Sequence, residues 1–158
     1  MATTWEDVSK AVETALKAAI GYAKITIVPS ISDYLLSNTA QSLFDAKDIS
    51  ILLSAPEGDA QHVEPMISWY FRKKYEIHVV ILSKTDPQSL PRLQGTGGKK
   101  GIFEVQADVV AALEHKNLSG LVDNKAGSNF EVGWRQLALE NKAFTAYETT
   151  YTVVKTEK

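Results

Sequence analysis

The sequence predicts an α+β domain in which a mixed or antiparallel sheet is flanked by two main helices and carries a long β-hairpin or arm. Three observations support this class. Strict alternation of residue types covers Met66–Leu82, amphipathic helical patterns lie near the start of the chain and after residue 101, and two strand-like segments follow the second helix. With 158 residues the chain can bury a core of its own, so we expect a single domain spanning residues 1–158.

The strongest of these signals is the run Met66–Leu82. Its odd positions are apolar apart from Lys73, as in Ile67, Trp69, Phe71, Tyr75, Ile77, Val79 and Ile81. This pattern is typical of a β-strand with one solvent-facing side, and the last residues are apolar on both faces. A strand of this length would span roughly 50 Å, more than a small domain is wide, so it either bends over the core or leaves it as an arm. The alternative is a short helix over Val63–Arg72, with Pro65 at its first position.

The first half of the chain contains one helix and two short strands. Thr3 or Thr4 is suited to cap the helix, and its apolar face combines Trp5, Val8, Val12, Leu16, Ala19 and Ile20. Ile25–Val28 and Ile49–Leu53 are apolar strands, whereas Ser30–Lys47 shows no clear period. We expect Ile49–Leu53 to pair with the long strand, with the turn-rich segment Pro56–Pro65 connecting the two.

The second half begins with Thr85–Gly101, a polar segment rich in proline and glycine that we expect to be a mobile loop. A helix follows and ends near residues 115–117, with an apolar face of Ile102, Val105, Val109, Ala112 and Leu113. After a linker over Leu118–Gly127, Phe130, Val132 and Trp134 alternate, but Leu137 and Leu139 have changed parity. This change predicts a β-bulge near Arg135 and Gln136, before a last strand over Ala143–Val154.

Composition narrows the function classes. A net charge of -2 provides no field that would hold a nucleic-acid backbone, and the absence of cysteine rules out disulfide and thiol chemistry. The first ten residues lack the basic and apolar regions of a signal peptide, and no apolar window is long enough to cross a bilayer.

The motifs that carry enzymatic chemistry are missing. Gly95–Gly101 precedes a helix, as phosphate-binding loops do, but it lacks the Lys-Ser or Lys-Thr pair of a P-loop and the spacing of a dinucleotide fingerprint. The three histidines, His62, His78 and His115, have no metal-ligand spacing, and no nucleophile elbow is present. We therefore predict no catalytic residue, no cofactor and no metal, and expect that the protein is not an enzyme.

The order of elements resembles that of the tail terminator proteins of long-tailed bacteriophages and related contractile particles. The resemblance covers nearly the whole chain: a leading amphipathic helix, paired strands and a long polar loop, then the helix ending in DVVAALEHKN and the closing strands NFEVGWRQLALE and AFTAYETTYTVVK. It rests on this pattern of elements and not on an invariant motif.

The resemblance implies a structural virion protein. Such a protein forms a homo-oligomeric, hexameric ring on the tail tube, stops tube growth and offers a surface to a neck or head-completion protein, while DNA passes through without specific binding. It implies location in the virion tail after assembly in the host bacterial cytoplasm, without membrane contact. We assign the contact surface to aromatic and basic residues: Trp69, Phe71, Arg72, Lys73, Lys74, Lys99 and Lys100.

Three alternatives remain compatible with the sequence. One is a different neck, tail-completion or tube component, another is a monomeric adaptor that binds one protein through an exposed strand, and the third is a small nucleotide-binding enzyme that uses Gly95–Gly101.

Overall fold

The described part of the chain contains four helices and six strands. A computed structural model describes residues 5–38, 40–54, 57–63, 70–83, 100–114, 118, 129–137 and 145–157. Its helices are α1 (Trp5–Ala19), α2 (Ile31–Ser37), α3 (Ala40–Phe44) and α4 (Ile102–Leu113). Its strands are β1 (Ala23–Val28), β2 (Ile49–Ser54), β3 (Glu57–Val63), β4 (Tyr70–Ser83), β5 (Asn129–Leu137) and β6 (Thr145–Glu157). The predicted α+β class is confirmed.

The strands form one mixed sheet in the order β1-β2-β4-β6-β5, with β3 pairing to β4 beside this path. Among the described strands, the β1–β2 pair alone is parallel and the other pairs are antiparallel. Strand β4 is the centre of the sheet because β6 lies along its whole length on one side, while β2 and β3 share the other side. The prediction that the second strand pairs with the long strand is therefore confirmed.

Strands β2 and β3 follow each other along the same edge of β4. Leu53 lies opposite Val79 and Glu57 lies opposite Glu76. Three residues, 54–56, therefore separate the two pairs along β2 and β3, whereas two residues, 77 and 78, separate them along β4. The register slips by one residue at this point, and the Ser54 hydroxyl accepts a hydrogen bond from the His78 N–H at 3.2 Å. The expected connection over Pro56–Pro65 is wrong for residues 57–63, which form a strand.

The alternating pattern of the long strand is confirmed over β4, and the helical alternative is wrong at Val63 and at residues 70–72, which are extended. Residues 64–69, which include Trp69, lie outside the described part of the chain. Tyr75, Ile77, Val79 and Ile81 are buried on one face, and Val80 and Leu82 are buried on the other. The apolar end of the strand thus lies inside a three-layer core.

Helices α1 and α4 cover the first face of the sheet. On α1 the buried side chains are Val8, Val12, Leu16 and Ile20, and on α4 they are Ile102, Val105, Val109 and Leu113. Ala19 is exposed, so its expected place on the apolar face of α1 is wrong; the Trp5 side chain and Thr3 and Thr4 lie outside the described part. The outer side of α1 carries two ion pairs, Glu6 with Lys10 at 2.5 Å and Glu13 with Lys17 at 2.6 Å.

The opposite, second face of the sheet is covered by α2 and α3 near β1 and β2. Their side chains Leu35, Leu43 and Phe44 pack against Leu52, Val80 and Leu82 of the sheet. Ser30 caps α2 by accepting a hydrogen bond from the Asp33 N–H at 3.4 Å. The sequence between Ser30 and Lys47 showed no period because two helices of 7 and 5 residues are too short to establish one.

The predicted bulge in the fifth strand exists, but its predicted position is wrong. The register shifts between Glu131 and Gly133, not near Arg135 and Gln136. An extra residue at this point moves the later residues of the strand to the other face. Gly133 beside the shift was the available signal, since glycine within a strand often marks a bulge.

None of the helices in the described part of the chain is long and apolar enough to cross a membrane.

Candidate functional site

The residues predicted as an interface fall into two separate places. Phe71–Lys74 form consecutive positions of β4, whereas Lys100 precedes α4; Trp69 and Lys99 lie outside the described residues. In this part of β4 the backbone is paired on both sides, with β3 and with β6: Phe71, for example, lies opposite both His62 and Glu157. What the sequence predicted as a projecting strand is the middle strand of three.

Residues 57–63, 70–76 and 152–157 form a three-stranded extension of the sheet, in which β4 lies between β3 and β6. Strand β4 has 14 residues, which corresponds to about 48 Å at 3.4 Å per residue. Helices α1 and α4 have 15 and 12 residues, which corresponds to about 22 and 18 Å. Strand β4 is therefore more than twice as long as either helix.

Lys100 is bound within the chain by a cluster that joins β1 to α4. Its ammonium group and the Tyr22 hydroxyl both donate to Oδ2 of Asp108, and Lys100 Nζ lies 4.7 Å from the centre of the Tyr22 ring. The hydrogen bond from Lys100, followed by that from Tyr22, lowers the pKa of the Asp108 carboxyl. Burial, followed by the hydrogen bond to Asp108, raises the pKa of the Tyr22 phenol. The cluster anchors the chain immediately before α4.

A second polar cluster lies on the second face of the sheet, where no sequence motif indicated it. Glu148 of β6 accepts a hydrogen bond from Arg135 Nε at 3.1 Å, and its Oε1 lies 3.6 Å from Nδ1 of His78. Thr150 Oγ1 lies 3.3 Å from the same imidazole nitrogen. The Glu148 side chain is 13 % exposed and that of Arg135 is 71 % exposed, so a largely buried carboxylate binds the Nε of an exposed guanidinium.

An open pocket of about 230 Å³ adjoins this cluster. His78 and Glu148 form one wall, Ser54 lies at the end of β2, and the β1–α2 connection supplies Pro29, Ser30, Ile31 and Ser32. A His and a carboxylate are the only acid–base pair in this lining, and no group of three or more metal-ligating side chains occurs among the described residues. Within the described lining, Glu148 is held by Arg135 and His78 lies beside Thr150 and Glu148.

The sequence search missed this cluster because its members come from three strands that are far apart in the chain. Arg135 and Glu148 are directly opposite in the β5–β6 pair, and His78 and Thr150 are directly opposite in the β4–β6 pair. Their proximity follows from the register, which was not predictable from the spacing of His78 or from any local motif.

No protein-family model matches the chain, and no curated protein matches it.

Proposed function

We propose that this protein is a structural subunit of a bacteriophage-type tail, which caps the tail tube as a homomeric ring, ends tube polymerisation and presents a surface to a neck or head-completion protein. Its proposed location is the virion tail, after assembly in the host cytoplasm. The protein is proposed to carry no catalytic activity and to let DNA pass without specific binding.

The observation that carries this proposal is the three-stranded extension of the sheet. It pairs residues 57–63 and 70–76 with residues 152–157 from the other end of the chain, so its middle strand is hydrogen-bonded on both sides. A ring requires a head-to-tail contact between two different surfaces of each copy, and edge strands on opposite sides of one sheet meet this requirement.

The order of elements is the second observation that supports the proposal. The succession helix, strands, helix and two closing strands is the pattern on which the resemblance to tail terminators rests. The mixed sheet with two main helices on one face fits the same pattern.

The proposal is tested by negative-stain electron microscopy of the purified protein over a range of concentrations, together with its mass by native mass spectrometry. We expect closed rings whose mass is a fixed multiple of the 17.4 kDa chain. Open filaments would favour a tube component instead, and a monomer at every concentration would contradict the self-assembling ring.

A further inference from the structure

Three strands have an outer edge that no other described strand covers. Strand β5 pairs only with β6, β3 pairs only with β4, and β1 pairs only with β2 within the described ranges. Strand β1 has no acidic residue, and its one charged residue, Lys24, already lies 3.2 Å from Asp45. Strands β3 and β5 remain, and they lie on opposite sides of the β4–β6 pair.

The edge of β5 carries an arginine that the fold orients in advance. The Nε–H of Arg135 is donated to Glu148, which leaves the N–H groups of the two terminal nitrogens without a partner among the described residues. A guanidinium with terminal N–H groups available binds a carboxylate through two parallel hydrogen bonds. The β5 edge therefore fits an extended protein segment that brings an acidic residue to the second face of the sheet.

The edge of β3 has this chemistry. Its sequence EGDAQHV contains Glu57 and Asp59 and no lysine or arginine. Glu57 lies opposite Glu76, which lies opposite Thr152, while Arg135 lies opposite Glu148. Positions 148 and 152 of β6 share a face because side chains alternate with a period of two, so positions 57, 59 and 135 belong to the same face.

The strand directions are compatible with pairing between copies. Strand β5 runs in the same direction as β4, since both are antiparallel to β6, whereas β3 runs against β4. When two copies lie side by side in the same orientation, β3 of one meets β5 of the other as an antiparallel pair. Glu57 lies at the level of Thr152 and Arg135 at that of Glu148, so the two positions meet when one copy is displaced along the strands by four residues, about 13 Å. The faces of the two sheets then stay on the same side.

We propose that β3 of one copy adds to the outer edge of β5 of a second copy, and that Arg135 binds Glu57 or Asp59 across this contact. The inference rests on the proposed ring and identifies the surfaces that close it. The contact joins two different surfaces, so it repeats from copy to copy and does not end at a dimer; it forms a ring when the rotation between copies closes and a filament when it does not.

Charge exchange between the two strands tests this contact. The variant Arg135→Glu makes both edges acidic. The double variant Glu57→Lys with Asp59→Asn makes β3 basic. Asp59 is changed to Asn and not to Lys because a lysine there would lie opposite Lys74 of β4. Each variant alone is expected to weaken self-association by roughly tenfold or more, because a charge-assisted bidentate contact becomes repulsive. An equimolar mixture is expected to restore rings in which the two variants alternate, since every contact is then complementary.

The matched controls carry the same charge changes on the outer side of α1. Lys17→Glu corresponds to the Arg135 variant, and Glu6→Lys with Asp7→Asn corresponds to the β3 variant; both are expected to assemble like the parent protein. Arg135→Gln removes the charge without placing a second carboxylate beside Glu148, and circular dichroism checks that each variant is folded. Native mass spectrometry resolves the composition of mixed rings.

The outcomes separate this contact from the proposed function. If the parent protein forms rings and both single-strand variants do so equally well, the contact is wrong and the ring stands. A mixture that fails to restore assembly of two folded variants also overturns it. If the parent protein remains a monomer, neither the contact nor the self-assembling ring holds.

Discussion

Thr149 and Thr150, which are neighbours in β6, place their hydroxyl groups on opposite faces of the sheet. Thr149 lies on the first face with no exposed surface, and its hydroxyl has no hydrogen-bond partner among the described residues. Thr150 lies on the second face, where its hydroxyl is 3.3 Å from His78. Because successive side chains in a strand point to opposite faces, one position in the chain separates an unsatisfied buried hydroxyl from a bonded one.

Thr149→Val is expected to raise the free energy of unfolding by about 1 kcal/mol, because a methyl group of the same shape replaces a buried hydroxyl that makes no bond. Thr150→Val is the matched control and is expected to be neutral or destabilising, since it removes the contact with His78. Urea denaturation of both variants measures the difference. A clear loss of stability for Thr149→Val would mean that its hydroxyl has a partner.

The carboxylate of Asp108 makes stability depend on pH. Its pKa is lowered in the folded protein, chiefly by the hydrogen bond from Lys100, so the stabilisation is present above the unfolded pKa and is lost as the pH falls through the folded pKa. Asp108→Asn is expected to cost about 0.5 kcal/mol at pH 7, a small value because the pair is partly exposed and screened by solvent.

This cost should shrink as the pH falls below the ordinary aspartate pKa of about 3.9, where Asp108 of the unfolded chain takes up a proton, and it should vanish once the folded carboxyl is protonated as well. Denaturation midpoints of the parent and variant at pH 7 and at acidic pH provide the measurement. Glu6→Gln, which removes one partner of an exposed ion pair on α1, is the control and should have almost no effect at either pH. A constant difference for Asp108→Asn at both values would show that its charge is not the cause.

Individual elements differ in how well their local sequence predicts them. Strand β4 and helices α1 and α4 bury one regular set of side chains, so their periodicity is visible in the sequence. Strand β3 is polar and has no such pattern; it is extended because its backbone pairs with β4 over seven positions. Tertiary pairing decides its structure, and a strand of that kind is not predictable from its own residues.

The shift between β2 and β3 depends on a side chain. Ser54→Ala removes the acceptor of the His78 N–H where the register slips, and we expect a loss of about 1 kcal/mol in the free energy of unfolding. Ser32→Ala, at an exposed position of α2 beside the same pocket, is the matched control and should be nearly neutral. Chemical denaturation of both variants provides the comparison; equal effects would contradict a specific role for Ser54.

At the scale of the whole molecule, the sequence was sufficient for the fold class and for most of the element order. It was not sufficient for the register of the strands, because a one-residue slip moves every side chain of a strand to the other face of the sheet without any change in the sequence of that strand. The bulge in β5 and the slip before β3 are of this kind. The same limit applies to the cluster of His78, Arg135 and Glu148, whose members meet only once the strands are aligned.

The proposed function depends on surfaces that act together. The sheet places the acidic edge β3 and the arginine-bearing edge β5 on opposite sides of β4 and β6. Head-to-tail assembly requires two different surfaces of this kind, and a ring that binds a tube end needs a further surface that rejects additional tube subunits.

The length distribution of assembling tail tubes tests this account most directly. Purified tube subunits from the same particle would be polymerised with and without increasing amounts of this protein, and tube lengths measured by electron microscopy. The account predicts shorter tubes, each carrying a ring at one end. The Arg135→Glu variant should shorten tubes less, and an equimolar mixture of it with the variant Glu57→Lys, Asp59→Asn should shorten them as the parent protein does. Tubes of unchanged length, with no density from this protein at their ends, would contradict it.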